Sequence, residues 1–218
     1  MERLPLSQRP LARVDAAPRS GAVIALHSDS DAALVRALRE REPHAGTALF
    51  DRYGMHVRRV LARVLGPDPE LGDLLQDVFV SALSSIHTLE DPSALRAWLT
   101  RMAVFTARGR IRRRSRWRFL KFVADDELPE PLAPAQDAEG SQALSAVYRV
   151  LKCLPADQRI VFALRVFDGM ELNAVATACG VSLSTAKRRL ARAQTRFMEL
   201  SRREPVLADW VAHAAEAT

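Results

Sequence analysis

The sequence predicts an all-α fold: two small helical domains joined by an acidic, proline-rich linker. Three observations carry this. Apolar residues recur at intervals of three and four in one segment after another, the period of helices with one buried face. Between 124 and 140 that pattern stops and the charge changes sign. From Leu172 to Leu200 the spacing is that of a helix-turn-helix. With 48% hydrophobic and 27% charged residues among 218, the chain is expected to be soluble and able to bury an adequate core. A brief strand at 22–26 is the one competitor to a helical reading.

Residues 1–29 mix proline, arginine and small residues without a sustained period and predict a disordered extension. Asp31 can cap a short helix carrying Leu34, Val35 and Leu38, which stops near Pro43. A longer helix follows with Leu49, Tyr53, Val57, Val60, Leu61 and Val64 inward, until Gly66, Pro67, Asp68 and Pro69 break it. The next is the most regular. Leu71, Leu74, Leu75, Val78, Phe79, Ala82, Leu83 and Ile86 form a broad core-facing stripe, and Asp73, Gln76 and Asp77 occupy the outer face.

After a polar turn at Thr88 to Pro92, Ser93 can start a fourth long helix with Leu95, Trp98, Leu99, Met102 and Phe105 inward. Its second half is cationic. Arg101, Arg108, Arg110, Arg112, Arg113, Arg114, Arg116, Arg118 and Lys121 arrive without an intervening acid, and Trp117, Phe119 and Phe122 are interleaved. Cations beside aromatics suit phosphates together with unstacked bases; the alternative is a solvated charge run complementing a helix dipole. In the linker Asp125, Asp126, Glu127, Glu130, Asp137 and Glu139 alternate with Pro129, Pro131 and Pro134.

The second domain opens with Leu144, Val147, Tyr148, Leu151 and Leu154 on one helical face. Pro155 is predicted as the first residue of the next helix, with Val161, Leu164 and Phe167 inward and Asp168-Gly169 closing it. In the helix-turn-helix, Gly180 supplies the left-handed turn, Val181 plugs back between the helices and Ser182 caps the second one. Ala186, Leu190, Ala193, Phe197 and Leu200 then make an apolar stripe. Ser184, Thr185, Arg188 and Arg192 lie opposite it, flanked by Lys187, Arg189 and Arg196, the pattern of a recognition helix entering a major groove. An ordinary basic helix in a bundle is the blander alternative. Beyond Arg203, Val206, Leu207, Trp210 and Val211 make a short amphipathic tail that docks on its own domain or binds a partner helix.

A formal charge of +6, mostly from arginine, favours a polyanionic partner, nucleic acid or an acidic membrane surface. No apolar run approaches the roughly 20 residues that span a bilayer, and the amino terminus lacks the apolar core of a secretion signal. A cytoplasmic location follows as an expectation, with Cys153 and Cys179 reduced and buried. The five histidines, His27, His44, His56, His87 and His213, have no ligand spacing, and neither a nucleophile elbow nor a phosphate loop occurs. The expectation is therefore no metal, no cofactor and no enzymatic activity.

Taken together, the segments resemble the extracytoplasmic-function (ECF) sigma factors, the smallest branch of the bacterial sigma family that directs RNA polymerase to promoters. The likeness rests on ALFDRY (Ala48 to Tyr53), GDLLQDVF (Gly72 to Phe79), LRAWLTRMA (Leu95 to Ala103), LPADQRIVFALRVFDGMEL (Leu154 to Leu172) and VATACGVSLSTAKRRLARA (Val175 to Ala193). It implies a region 2 domain at 30–123, a linker at 124–140, a region 4 domain at 141–203 and a tail at 204–218. By resemblance Asp73, Gln76 and Asp77 contact the β′ clamp helices of core RNA polymerase, and the polymerase's β flap is a second docking point. His87 to Pro92 then lie beside single-stranded promoter DNA. Trp98, Arg101, Phe105, Arg108, Arg112, Arg113 and Arg114 are assigned to the minus-ten element, and Ser184, Thr185, Lys187, Arg188, Arg189 and Arg192 to the minus-thirty-five element.

The resemblance also implies a monomer when free, no membrane partner, and leaves open an anti-sigma factor. Departures from the family pattern bear on promoter melting. Val104-Phe105 replaces a frequent Arg-Asn pair, Ala174 stands where an acid is usual, and Gly109 replaces an acid and predicts a bend or an end to its helix. The competing function is a stand-alone helix-turn-helix regulator, which has no use for the outer Asp-Gln-Asp face. An arginine-rich RNA- or membrane-surface protein explains the charge but not the recognition helix.

Overall fold

The computed structural model describes residues 30–121 and 138–208, and every element named within them is helical. The amino-terminal extension, most of the acidic linker, Phe122, and the tail residues Trp210 and Val211 lie outside the described residues, as do the side chains of Trp117 and Phe119. No described helix is long and apolar enough to cross a membrane.

The first half is built from α1 (Asp31–Arg39), α2 (Ala45–Leu65), α3 (Leu71–Ser85) and α4 (Leu95–Lys121). Ser30, rather than Asp31, caps α1 by accepting from the Ala33 amide. Asp31 instead turns toward α2, where it accepts the Tyr53 hydroxyl at 2.7 Å and pairs with Arg52 at 3.1 Å. Burial, then the hydrogen bond to that carboxylate, pushes the Tyr53 phenol up to about 12. All six inward positions expected of α2 are buried, and the helix ends at Gly66, whose φ of 71° needs a residue without a Cβ. On α3, Leu74, Val78, Phe79 and Ala82 are buried, but Leu83, expected inward, is 45% exposed. It lies beside Gly46 in the first turn of α2, where a Cβ would be 3.7 Å away, and the glycine leaves it only partly covered.

Asp91 accepts both the amide and the hydroxyl of Ser93 and so sets a short 3-10 turn at Pro92–Ala94, and α4 begins two residues after the expected start. Its buried face is Leu95, Leu99, Ala103, Val104 and Ala107. Trp98 and Met102 are only partly buried against the core, and Phe105 is 73% exposed, contrary to the expected stripe. The closest approach is made at small alanines, which a search for large apolar residues passes over. The helix also continues through Gly109 and does not end there. Ion pairs from its neighbours Arg108 and Arg110 hold it on either side.

The second half comprises α5 (Ala138–Lys152), α6 (Ala156–Phe162), a π-type turn at Ala163–Phe167, α7 (Leu172–Cys179) and α8 (Leu183–Ser201). Pro155 sits just outside α6, at its cap position with extended ψ, one residue earlier than expected. Ala146, Tyr148, Val150 and Leu151 are buried, whereas Leu144 is 55% exposed. Phe162 stacks on Phe197 at 4.8 Å and meets Phe167 edge-on, which pins α8 to α6 and the π-type turn. From the tail, Leu207 joins this cluster, as expected of a tail docked on its own domain. Cys179 is buried and its thiol is pushed up to about 11 by that burial, but Cys153 is exposed at the end of its segment, against expectation.

The halves are not separate bodies. Ile160, Val161, Leu164, Val175, Ala178 and Cys179 share one apolar cluster with α2, α3 and α4. Arg159, 5% exposed, donates from Nε to the Val64 carbonyl at 2.7 Å and from a terminal nitrogen to that of Leu65 at 2.8 Å. A side chain of the second half thereby satisfies carbonyls that the end of α2 would otherwise leave unpaired. Burial pushes its guanidinium down to about 10. Tyr148 adds a hydroxyl donated to the Ala62 carbonyl at 3.2 Å.

Candidate nucleic-acid interface

The turn between α7 and α8 is built as its sequence requires. Gly180 takes φ 66° and ψ 40°, the Val181 amide reaches back to the Ala176 carbonyl, and the half-buried Val181 packs on the core. The Ser182 hydroxyl accepts the Thr185 amide, satisfying one of the free donors at the start of α8. Ala186 and Ala193 are fully buried, with Leu190, Phe197 and Leu200 packed beside them. This fixes the rotation of α8. Ser184, Lys187, Arg188 and Arg192 face solvent and Thr185 is half-buried. Arg189 turns to the flank instead, and its guanidinium lies 3.0 Å from Asp157 of α6.

A second cationic face runs along α4. Trp98, Arg101, Phe105, Arg108 and Arg112 follow one another at intervals of three and four, and so share one side of the helix. Arg101, Phe105, Arg112 and Arg113 are exposed. Arg108 is not. Its Nε lies 3.0 Å from Asp157 in an ionic contact without hydrogen-bond alignment, and its terminal nitrogen donates to the Cys179 carbonyl at 3.4 Å. Arg110 pairs with Asp68 and Glu70, and Arg114 lies 3.8 Å from Asp68, whose carboxylate is almost fully buried. Between this face and the helix-turn-helix is a cavity of about 730 Å³ bordered by Trp98, Arg101, Phe105, Arg108, Cys179 and Gly180. An aromatic pair beside guanidinium groups is chemistry suited to an unstacked base and its phosphate.

The third surface is the outer side of α3. Asp73, Gln76 and Asp77 are exposed as expected, and Val80, one turn further on, continues the row with 56% of its surface open. Its outward position was missed in the sequence because attention to the apolar stripe leaves a lone valine on the polar side unremarked. Asp157 and Arg159 were missed for a different reason. Each acts on residues remote in the chain, and no local spacing announces that. Among the described residues, no group of three or more His, Cys, Asp or Glu side chains is placed to hold a metal ion.

Comparison with known proteins agrees with this layout. Residues 49–117 match the family model for sigma-70 region 2, and residues 144–196 match that for sigma-70 region 4. The chain is 35% identical over 143 residues to the RNA polymerase sigma-E factor of Streptomyces coelicolor, covering 63% of this chain and 76% of that protein. It is 28% identical over 175 residues to the RNA polymerase sigma factor NccH of Alcaligenes xylosoxydans, covering 78% and 94% respectively. The sigma factor RpoE solved with the anti-sigma factor NepR from Bartonella quintana superposes with a TM-score of 0.51 at 27% identity, over 67% of this chain and 89% of that one. CnrH, solved in complex with the cytosolic domain of CnrY, shares the fold with a TM-score of 0.55 at 24% identity, over 79% of this chain and 97% of that one.

Proposed function

Because the chain belongs to the sigma-70 family of RNA polymerase sigma factors, in its extracytoplasmic-function branch, we propose that its two halves divide promoter recognition between two DNA elements while a third face holds the polymerase. The chain binds core RNA polymerase and directs transcription initiation. The chemistry of RNA synthesis stays with the polymerase, and this chain contributes specificity.

In this reading α8 enters the major groove of the minus-thirty-five element. Ser184, Thr185, Lys187, Arg188 and Arg192 reach base edges and phosphates there, and Arg189 adds a phosphate contact once it leaves Asp157. The α4 face takes the minus-ten element. Arg101, Arg108, Arg112, Arg113 and Arg114 hold the backbone while Trp98 and Phe105 offer aromatic surfaces to unpaired bases. The outer face of α3 docks on the β′ clamp helices through Asp73, Gln76 and Asp77, with Val80 giving that polar row an apolar end. The β flap is the second docking point proposed for the polymerase. The observation that carries the proposal is this third face: a stand-alone repressor has no use for an exposed acidic row on the domain that does not read duplex DNA. The solved relative held by an anti-sigma factor supports a partner of that class here as well.

Reversing Asp73 and Asp77 to lysine tests the polymerase assignment. Both side chains are exposed, so helicity is expected to persist while co-purification with core enzyme is lost. Undiminished co-purification of the doubly reversed chain would remove this face from the assignment.

A further inference from the structure

A cavity of about 270 Å³ lies where α4 runs past the end of α2 and the junction of α5 with α6. Among the described residues, Arg110, Arg112, Arg114, Lys152 and Arg159 border it, and Asp68 is the one acid in its wall. Arg110 and Arg114 stand one helical turn apart on the side of α4 that meets Asp68, whereas Arg108 turns to Asp157 on another. Arg159 is the most enclosed of the cations. It is 5% exposed, its bonds go to two carbonyls, and no carboxylate among the described residues forms an ion pair with it. Holding a guanidinium there without a counter-ion is costly: burial draws its pKa down, and Arg114 draws it further against the pull of Tyr148 and Asp68.

What such a wall recognises follows from its donors. Guanidinium forks and an ammonium group offer N–H alone, so they select a ligand built of acceptor oxygens and carrying more than one negative charge, as phosphoryl groups do. Size narrows the class. At roughly 30 Å³ per water, the cavity of about 270 Å³ has the volume of about nine waters, which matches the heavy atoms of a pyrophosphate and exceeds those of a single phosphate. No aromatic ring and no side-chain amide borders it, so a nucleobase would find neither a stacking partner nor a group to read its edge. With Arg159 5% exposed and the Arg110 side chain 14% exposed, a DNA strand cannot enter without displacing a helix. A small free anion can.

We propose that this cavity is a binding site for a small oligophosphate, two linked phosphoryl groups held by Arg110 and Arg114 from one wall and by Lys152 and Arg159 from the other. The ligand supplies Arg159 with the negative charge that the fold does not. Because the site draws its cations from α4, α5 and α6 together, occupancy ties these helices to one another and raises the stability of the whole chain.

The test is titration calorimetry and a thermal melt on the full chain, at fixed ionic strength and without divalent metal, with pyrophosphate as the probe and orthophosphate and sulfate as controls. Saturable binding of one pyrophosphate per chain is expected, with a melting temperature that rises with its concentration, and orthophosphate should bind at least about tenfold more weakly. Lys152→Gln should weaken pyrophosphate by about tenfold, the loss of one charge-assisted contact. Arg36→Gln, at an exposed position on α1, should leave binding unchanged. Ala156→Glu sets a carboxylate in the cavity wall, in the first turn of α6 where a helix tolerates an acid, and should abolish binding. Circular dichroism checks that each variant keeps its helices. Equal protection by sulfate, or equal losses in Lys152→Gln and Arg36→Gln, would reduce the effect to counter-ion screening of a basic chain and overturn the site. Undiminished binding by an Ala156→Glu chain of native helicity would overturn it as well.

Discussion

Truncating Phe105 to alanine separates a role in DNA opening from a role in the core, and the structure sets opposite magnitudes for the two. The ring is 73% exposed, so about a quarter of it, on the order of 50 Å², is removed from water. At roughly 25 cal/mol per Å² that area is worth about 1 kcal/mol, which in a domain of this size lowers the melting temperature by about 2 to 4 °C. Stacking of one unpaired base on the ring contributes about 1 to 3 kcal/mol. Losing it therefore weakens capture of the melted strand by roughly 5- to 150-fold, at about 1.4 kcal/mol per decade. The assay is permanganate reactivity of unpaired promoter thymines with the variant in holoenzyme, alongside duplex binding at the upstream element and a thermal melt. Slow opening with unchanged upstream binding and a small thermal shift is the expected result. A melting temperature lowered by ten degrees or more, with both activities lost together, would show that Phe105 supports the fold and that the stacking argument is wrong.

Arg188 stands in the middle of the exposed face of α8. Arg188→Ala is expected to relax preference at one upstream base pair by about 1 to 3 kcal/mol, and a uniform loss across sequences in a binding-site selection would reduce Arg188 to a backbone contact. His56 donates to Thr100, whose hydroxyl in turn donates to the Arg96 carbonyl. Burial, then Arg96 and Arg59, hold its imidazole below the ordinary value against the opposing pull of Asp168. On acidification the unfolded chain takes up this proton first, so stability is full above the ordinary imidazole value and falls as pH drops through the folded one. Between about pH 7.5 and about pH 5.5 the urea midpoint should therefore fall further in wild type than in His56→Gln; equal slopes would count against it. Gly66→Ala combines a left-handed backbone costing about 1 to 2 kcal/mol with a Cβ 2.5 Å from the Tyr148 ring. A thermal shift of about 4 to 8 °C is expected, and adding Tyr148→Ala should cost less than the two changes summed; strict additivity would contradict the contact.

Much of the local architecture was legible because it depends on neighbours in the chain. Gly180, Val181 and Ser182 announced the corner and cap of the helix-turn-helix, and each does in the structure what its chemistry dictates. The apolar period of α2 named its buried face without error. Rotation was harder where the core is made by small residues. On α4, Ala103 and Ala107 make the contact, so Trp98 and Met102 slip to the margin and Phe105 to solvent. Leu83 and Leu144 are exposed for a related reason: periodicity marks an apolar row but not where the covering helix stops. Gly109 did not end its helix, and ion pairs made by Arg108 and Arg110 flank it.

By itself the sequence determined the helical class, the order of the two halves, the recognition helix and its basic face, and the exposed acid row of α3. These follow from propensity and spacing, which act over a few residues. Only the tertiary structure decided that the halves share a core and that Arg159 caps a helix of the other half. It also decided that Arg108 and Arg189 are both drawn to Asp157. Such contacts join positions remote in the chain, where an ion pair depends on distance in space, and no periodicity along the sequence encodes which charge will meet which.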